Sequence, residues 1–228
     1  MVERIKTHAH ELSRTRDVTI LSLATLAEIR DNETGEHILR TQRYVRILAD
    51  HLQSHPNFSE FLTDEIITLM FKSAPLHDIG KVGIPDAILL KPGKLTDDEF
   101  VIMKTHASLG AEALNVAKRE LGEKSFLRFA HEIALTHHEK FDGTGYPAGL
   151  SGHDIPLSGR LMAVADVYDA LISKRVYKPA FSHDKAVGII REGRGTHFDP
   201  DVVDAMDATE AEFQAIAVQY QSLHTDAA

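Results

Sequence analysis

The sequence predicts an all-α fold, a helical bundle entered through an N-terminal helix. Three observations predict it. Apolar residues recur at three- and four-residue spacing in successive segments, capping signals stand where those segments begin, and no stretch alternates with the period of two that a half-buried strand requires. No internal repeat or low-complexity tract interrupts the pattern. At 228 residues the chain is long for one domain and short for two, so residues 1–20 are read as a connector or signalling helix and 21–228 as one domain.

Composition narrows the function. Cysteine is absent, which removes disulfides, thiolate zinc sites and cysteine nucleophiles and leaves nitrogen and oxygen as the only strong metal donors. A net charge of −9 argues against a nucleic-acid polymer as partner, because such binding neutralises phosphates with basic patches. A small phosphorylated substrate is still compatible, since bound divalent ions would reverse the local field. The apolar runs fall short of the roughly 20 residues a membrane span needs. Met1-Val2-Glu3-Arg4 starts no signal peptide, so no membrane association and a cytoplasmic location are expected. Of the 14 histidines, His8, His10, His51, His55 and His224 lie in polar stretches and are read as surface residues.

The elements follow in order. Residues 1–20 are charged and lead into Ile20, Leu21, Leu23, Leu26 and Ile29, a helix with exposed first turns. Three readings stay open for its start: a frayed terminus, a connector from an upstream receiver or sensor domain, or a coiled helix that forms a homodimer. After the polar break at 31–37 a helix carries Ile38, Tyr44, Val45, Leu48 and Leu52 on one face. Glu33 and His37 are four apart, the spacing that stacks side chains, although Gly35 between them allows a later helix start. Arg40 lies on the same helix and can reach an acid or a phosphate. Thr63 caps a helix that runs to His77-Asp78, where Gly80 is read as its C-terminal stop and Pro75 as a bend. Residues 82–95 read as loop. Thr96 to Glu99 forms a capping box for a helix that turns Phe100, Met103, His106, Leu109, Ala113 and Leu114 inward. Ser125 caps the helix ending at His137-His138, Ser182 caps another, and Asp199-Pro200 opens the last.

Two ligand-type doublets, His77-Asp78 and His137-His138, thus stand at helix ends beside glycines. Neighbouring helical residues point about 100° apart, so both members can turn to one ion only where the helix ends. The helix after Ser158 carries Asp166 and Asp169, three apart. An acid set among Met162, Ala163, Val164 and Ala165 is costly unless paired or metal-bound, which makes Asp166 a strong ligand candidate. His106 on its apolar face is either a satisfied core residue or a ligand.

His37, His77-Asp78, His106, His137-His138 and Asp166, in that order, resemble the HD superfamily of metal-dependent phosphohydrolases. The runs His77 to Asp86, Asp142-Gly143-Thr144-Gly145-Tyr146-Pro147, Asp166 to Leu171 and His197-Phe198-Asp199-Pro200 are similar to the HD-GYP cyclic di-GMP phosphodiesterases. The likeness extends from about Leu23 to Met206. It implies a helical bundle whose core holds two or three divalent ions, iron or manganese, on Glu33, His37, His77, Asp78, His106, His137, His138 and Asp166. In the family a glutamate at the position of Glu33 accompanies the three-metal arrangement. The resemblance makes Asp78 and Lys81 catalytic, with Lys81 beside the scissile phosphate. It puts Asp169, Arg175 and Lys178 around the dinucleotide, and Gly145, Tyr146 and Pro147 in the loop lining the site.

The residue chemistry agrees. Eight nitrogen and oxygen donors exceed one four-coordinate zinc and suit paired octahedral ions sharing a carboxylate and a hydroxide. Ions about 4 Å apart activate a bridging water and stabilise the leaving oxygen. The expected activity is hydrolysis of cyclic di-GMP to linear pGpG and onward to GMP. The competing readings are hydrolysis of another cyclic dinucleotide, such as cyclic GMP-AMP, and a silent signalling module, which would normally have lost ligands that this chain retains.

Overall fold

The structure is a computed structural model and describes residues 2–31, 36–121, 125–173 and 180–225. Among these residues it is all-helical, with one isolated bridge between Arg194 and Phe198. The helices are α1 Val2–Arg30, α2 Glu36–Leu52, α3 Asp64–Ser73, α4 Asp86–Leu89, α5 Asp97–Leu121, α6 Leu127–Thr136, α7 Leu157–Ile172, α8 His183–Glu192, α9 Pro200–Ala208 and α10 Glu210–Thr225. The last of these lies beyond the helix that the sequence reading took as final.

The expected caps form because they are local hydrogen bonds. Thr63 Oγ1 accepts from Ile66 N–H, and the Thr96–Glu99 box closes with Thr96 N–H donating to Glu99 Oε2 at 2.7 Å. Asp199 Oδ1 accepts from Asp201 N–H at the head of α9, and Arg160 on α7 pairs with the same carboxylate. Residues 82–95, read as loop, contain the single turn α4. Its place is fixed from α1, where the Arg30 guanidinium donates to the carbonyls of Lys81, Val82 and Ile84 and to Asp86.

The main core lies where α2, α3, α6, α7, α8, α9 and α10 meet. Tyr44 on α2 stacks on Phe213 of α10 at 4.5 Å, and Tyr168 of α7 meets both rings edge-on. A smaller cluster, with Ala24, Ile38, Leu76, Leu114 and Phe126, joins α1 to the start of α2 and to α5 and α6. Helix α1 runs unbroken through residue 20, so the expected connector boundary falls inside it. Its outer side leaves Leu12, Val18, Leu23, Leu26 and Ile29 exposed.

Gly80 corrects the sequence reading. It is no left-handed helix stop: α3 ends at Ser73, and the chain continues through two 3-10 turns, 74–76 and 79–83, with His77 and Asp78 between them. The glycine is needed because α5 crosses directly over it. A Cβ there would lie 1.9 Å from the His106 carbonyl oxygen and 2.4 Å from Gly110 N. Gly80→Ala is therefore expected to push α5 away from the His77-Asp78 turn and to destabilise the protein by about 3 kcal/mol, the upper range for overpacking. Thermal unfolding measures it; an unchanged midpoint would show that the crossing can relax.

Candidate metal centre

Three of the expected histidines are oriented from behind by backbone carbonyls of the preceding turn. Nδ1 of His77 faces the Ala74 carbonyl at 3.0 Å, that of His106 the Met103 carbonyl at 2.7 Å, and that of His137 the Ile133 carbonyl at 3.0 Å. A carbonyl only accepts, so these contacts assign the proton to Nδ1 and leave Nε2 with a lone pair facing forward. His37 is held by a carboxylate instead, Nδ1 lying 2.8 Å from Asp169 Oδ2. Such outer partners fix the tautomer of a metal-ligating imidazole.

The forward atoms converge in two groups. Asp78, His106, His137 and His138 form one, and His37, His77 and Asp166 the other, each with donor atoms within 4.8 Å of one another. Asp78 spans both. Its Oδ1 lies 3.3 Å from His106 Nε2 and 3.4 Å from His137 Nε2, while Oδ2 lies 3.4 Å from His77 Nε2. In the second group His37 Nε2 is 3.2 Å from His77 Nε2 and 3.5 Å from Asp166 Oδ1. Asp78 Oδ1, His106 Nε2 and His137 Nε2 are buried without a hydrogen bond among the described residues. Lone pairs of a carboxylate and two imidazoles facing one point repel unless a cation lies between them, so this all-N,O donor set fits divalent metal.

Charge around the centre is consistent with that fit. Burial opposes ionisation of Asp78, but Lys81 foremost, with the neighbouring histidines when they carry a second proton, outweighs it and holds the carboxyl well below the usual range. Lys81 Nζ sits 2.7 Å from Asp78 Oδ2 and 2.6 Å from Asp31 Oδ2. Burial pushes His77 down to about 4, and burial with the neighbouring His137 pushes His138 well down. His106 moves upward, because the Asp78 carboxylate offsets the cost of burial. After chelation the protein is expected to lose stability as pH falls from about 6.5 to about 4. In that window the unfolded chain protonates His77 and the folded one does not, and His138, also lowered, adds to the loss. The slope is about 1.4 kcal/mol per pH unit for each such imidazole. Denaturant titrations across the window measure the slope, and a flat profile would refute it.

The second doublet leads into the loop. Tyr146 stacks on His138 at 4.7 Å, and Tyr146 N–H donates to the His138 carbonyl. Gly145 allows this, since a Cβ there would lie 2.3 Å from Lys140 N. Pro147 follows a cis peptide. Glu139, which the sequence reading gave no role, is buried and anchors the loop by accepting from Ala148 N–H at 2.7 Å and Leu150 N–H at 3.1 Å. Its place directly after the doublet was the available signal.

Asp169, expected around the dinucleotide, is fully buried, with Arg40 Nε donating to Oδ1 at 2.6 Å, Arg40 Nη2 to Oδ2 at 2.8 Å, and His37 on the same oxygen. Its partner Asp166, by contrast, retains 17 % side-chain exposure beside His37. Glu28, also unanticipated, is buried on α1 with Oε1 4.0 Å from His37 Nε2. Glu33, Arg175 and Lys178 lie outside the described residues.

Known proteins resemble this chain in sequence and fold. Residues 27–202 match the HD domain family. A cyclic di-GMP phosphodiesterase of Vibrio cholerae is 64 % identical over 97 % of this chain and 45 % of its own length. The cyclic di-GMP phosphodiesterase response regulator RpfG of Xanthomonas campestris is 39 % identical over 96 % of this chain and 55 % of its own. The chain therefore spans about half the length of these curated relatives. The crystal structure of a cyclic GMP-AMP specific phosphodiesterase from V. cholerae superposes with a TM-score of 0.60 at 17 % identity, covering 87 % of this chain and 50 % of that one. No helix among the described residues is long and apolar enough to cross a membrane. With the family match covering most of the chain and the His-Asp donors gathered in the helical core, this protein belongs to the HD domain family.

Proposed function

We propose that this chain is a metal-dependent phosphodiesterase that opens cyclic di-GMP to linear pGpG and then cleaves this to GMP. The observation that carries the reading is Asp78, whose two oxygens each face a separate set of histidine nitrogens. One carboxylate between two donor sets is what a pair of ions needs. The names of the relatives supply the substrate.

His37, His77, Asp78, His106, His137, His138 and Asp166 would hold the ions, with Glu33 completing a third position. Iron or manganese suits imidazole and carboxylate without thiolate. When bound, the ions lower the pKa of a coordinated water and stabilise the leaving 3′ oxygen. The chain contributes the rest. The carbonyls behind His77, His106 and His137 keep the imidazoles aimed, and Asp78 and Asp166 line the partly open side. Lys81 supplies positive charge beside Asp78, where charge grows on the phosphoryl oxygens. Tyr146, with Gly145 and Pro147, walls the substrate side, and Arg175 and Lys178 grip phosphate. In the whole protein α1 carries the signal of an upstream receiver or sensor domain and pairs with a second copy through its exposed apolar residues, and the reaction takes place in the cytoplasm.

Protein purified without oxygen and loaded with iron or manganese is incubated with cyclic di-GMP, and the products are separated by chromatography. Linear dinucleotide or GMP supports the reading. Turnover of 3′3′-cyclic GMP-AMP in place of cyclic di-GMP would move it to another cyclic dinucleotide, and no product from either would refute it.

A further inference from the structure

Helix α5 leaves a large aromatic ring in solvent beside the metal centre. Phe100 is 46 % exposed, although its spacing from His106 and Leu114 expects it inward. Its ring meets Tyr146 edge-on, 6.2 Å between centroids at 82°, and Tyr146 in turn stacks on His138. One turn along the helix, Lys104 holds its ammonium 5.4 Å from the Phe100 ring and 5.8 Å from the Tyr146 ring. No carboxylate pairs with Lys104 among the described residues.

We infer that Phe100 and Lys104 form the base-and-phosphate subsite that selects a cyclic purine dinucleotide, Phe100 stacking a purine and Lys104 neutralising the phosphate beside it. Three features single out this ligand. A half-exposed ring offers solvent-facing aromatic surface, on which a flat purine stacks regardless of its exocyclic groups. The unpaired ammonium over both rings supplies charge for an anion, so the ligand joins an aromatic plane to a phosphate. The subsite adjoins His138 through Tyr146, so a phosphate at the donor groups and a base on Phe100 belong to one nucleotide. This inference rests on the proposed activity and assigns a role there to α5, which also supplies His106.

The test uses Phe100→Ala, Phe100→Tyr and Lys104→Gln in the metal-loaded chain. It combines hydrolysis of cyclic di-GMP with equilibrium binding of its non-hydrolysable phosphorothioate analogue. Phe100→Ala is expected to raise both KM and Kd about ten- to a hundredfold, the loss of one stacked base, with kcat and metal content unchanged. Phe100→Tyr should restore binding. Lys104→Gln should weaken the salt dependence of Kd, since a screened charge is removed. Unchanged KM and Kd in Phe100→Ala would overturn the inference and leave the ring to a protein contact. A parallel fall in kcat and metal content would overturn it too, as that marks a structural role. Wild-type protein that binds the analogue without hydrolysing cyclic di-GMP would sink only the proposed activity. Failure of wild type to bind would sink both.

Discussion

Asp78→Asn is expected to lower kcat/KM for cyclic di-GMP by about a thousandfold or more, the equivalent of about 4 kcal/mol of lost Lewis-acid stabilisation. It should also strip most of the bound metal, while leaving the metal-free protein at least as stable as wild type. The two halves have one cause. Asp78 directs an oxygen at each donor group, so its loss removes a ligand from both. In the absence of metal that arrangement is unfavourable: Oδ1 and the Nε2 atoms of His106 and His137 are buried and face one another without a donor between them. An asparagine amide can turn its N–H groups to those nitrogens and satisfy them. Lys81, deprived of one carboxylate, keeps Asp31. Stability is held below its optimum at this position in favour of the site. Metal analysis, turnover and apo-protein unfolding on the same preparation test the claim. A variant that keeps its metal and its activity would refute the bridging role.

Much of this centre was legible because its signals are local. Each doublet of ligand types stands just past the end of a helix, α3 or α6, and the Nδ1 contacts of His77, His106 and His137 reach carbonyls only three or four residues back. The caps at Thr63, Thr96 and Asp199 are equally short-range. What could not be read depends on how helices are rotated and how far they extend. Asp166 and Asp169 are three apart, and spacing alone does not say which faces the site. The answer comes from α2, where Arg40 and His37 both turn to Asp169. Phe100 fits the inward period of α5, but it lies in the first turn of that helix and stays half-exposed, while His106 is buried. Glu28 was hidden because Ile20, Leu21, Leu23, Leu26 and Ile29 around it read only as an apolar helix face. Its burial arises where α1 packs on the turns around His77 and Asp78.

The rotation of α7 yields the other large effect. Asp169→Ala is expected to destabilise the protein by about 3–5 kcal/mol, because it leaves the buried Arg40 guanidinium without its carboxylate. For a chain of this size that corresponds to a fall in Tm of roughly 10 °C. Burial alone would favour the neutral acid. The hydrogen bonds from Arg40 and His37 overcome it and keep the Asp169 pKa low, so the side chain is a charge at neutral pH. The same oxygen fixes His37, so metal affinity should drop by about ten- to a hundredfold as the imidazole loses its orienting partner. The two effects separate in Arg40→Met/Asp169→Leu, which removes both charges and fills their space. Its stability should recover most of the loss, as buried ion pairs replaced by apolar groups usually do, while metal affinity stays low because His37 still lacks an acceptor. Unfolding and metal titration of the single and double variants decide the matter. If Asp169→Ala unfolds like wild type, keeps its metal and shows only a raised KM, the carboxylate touches substrate as the sequence led one to expect, and the buried arrangement behind His37 is refuted.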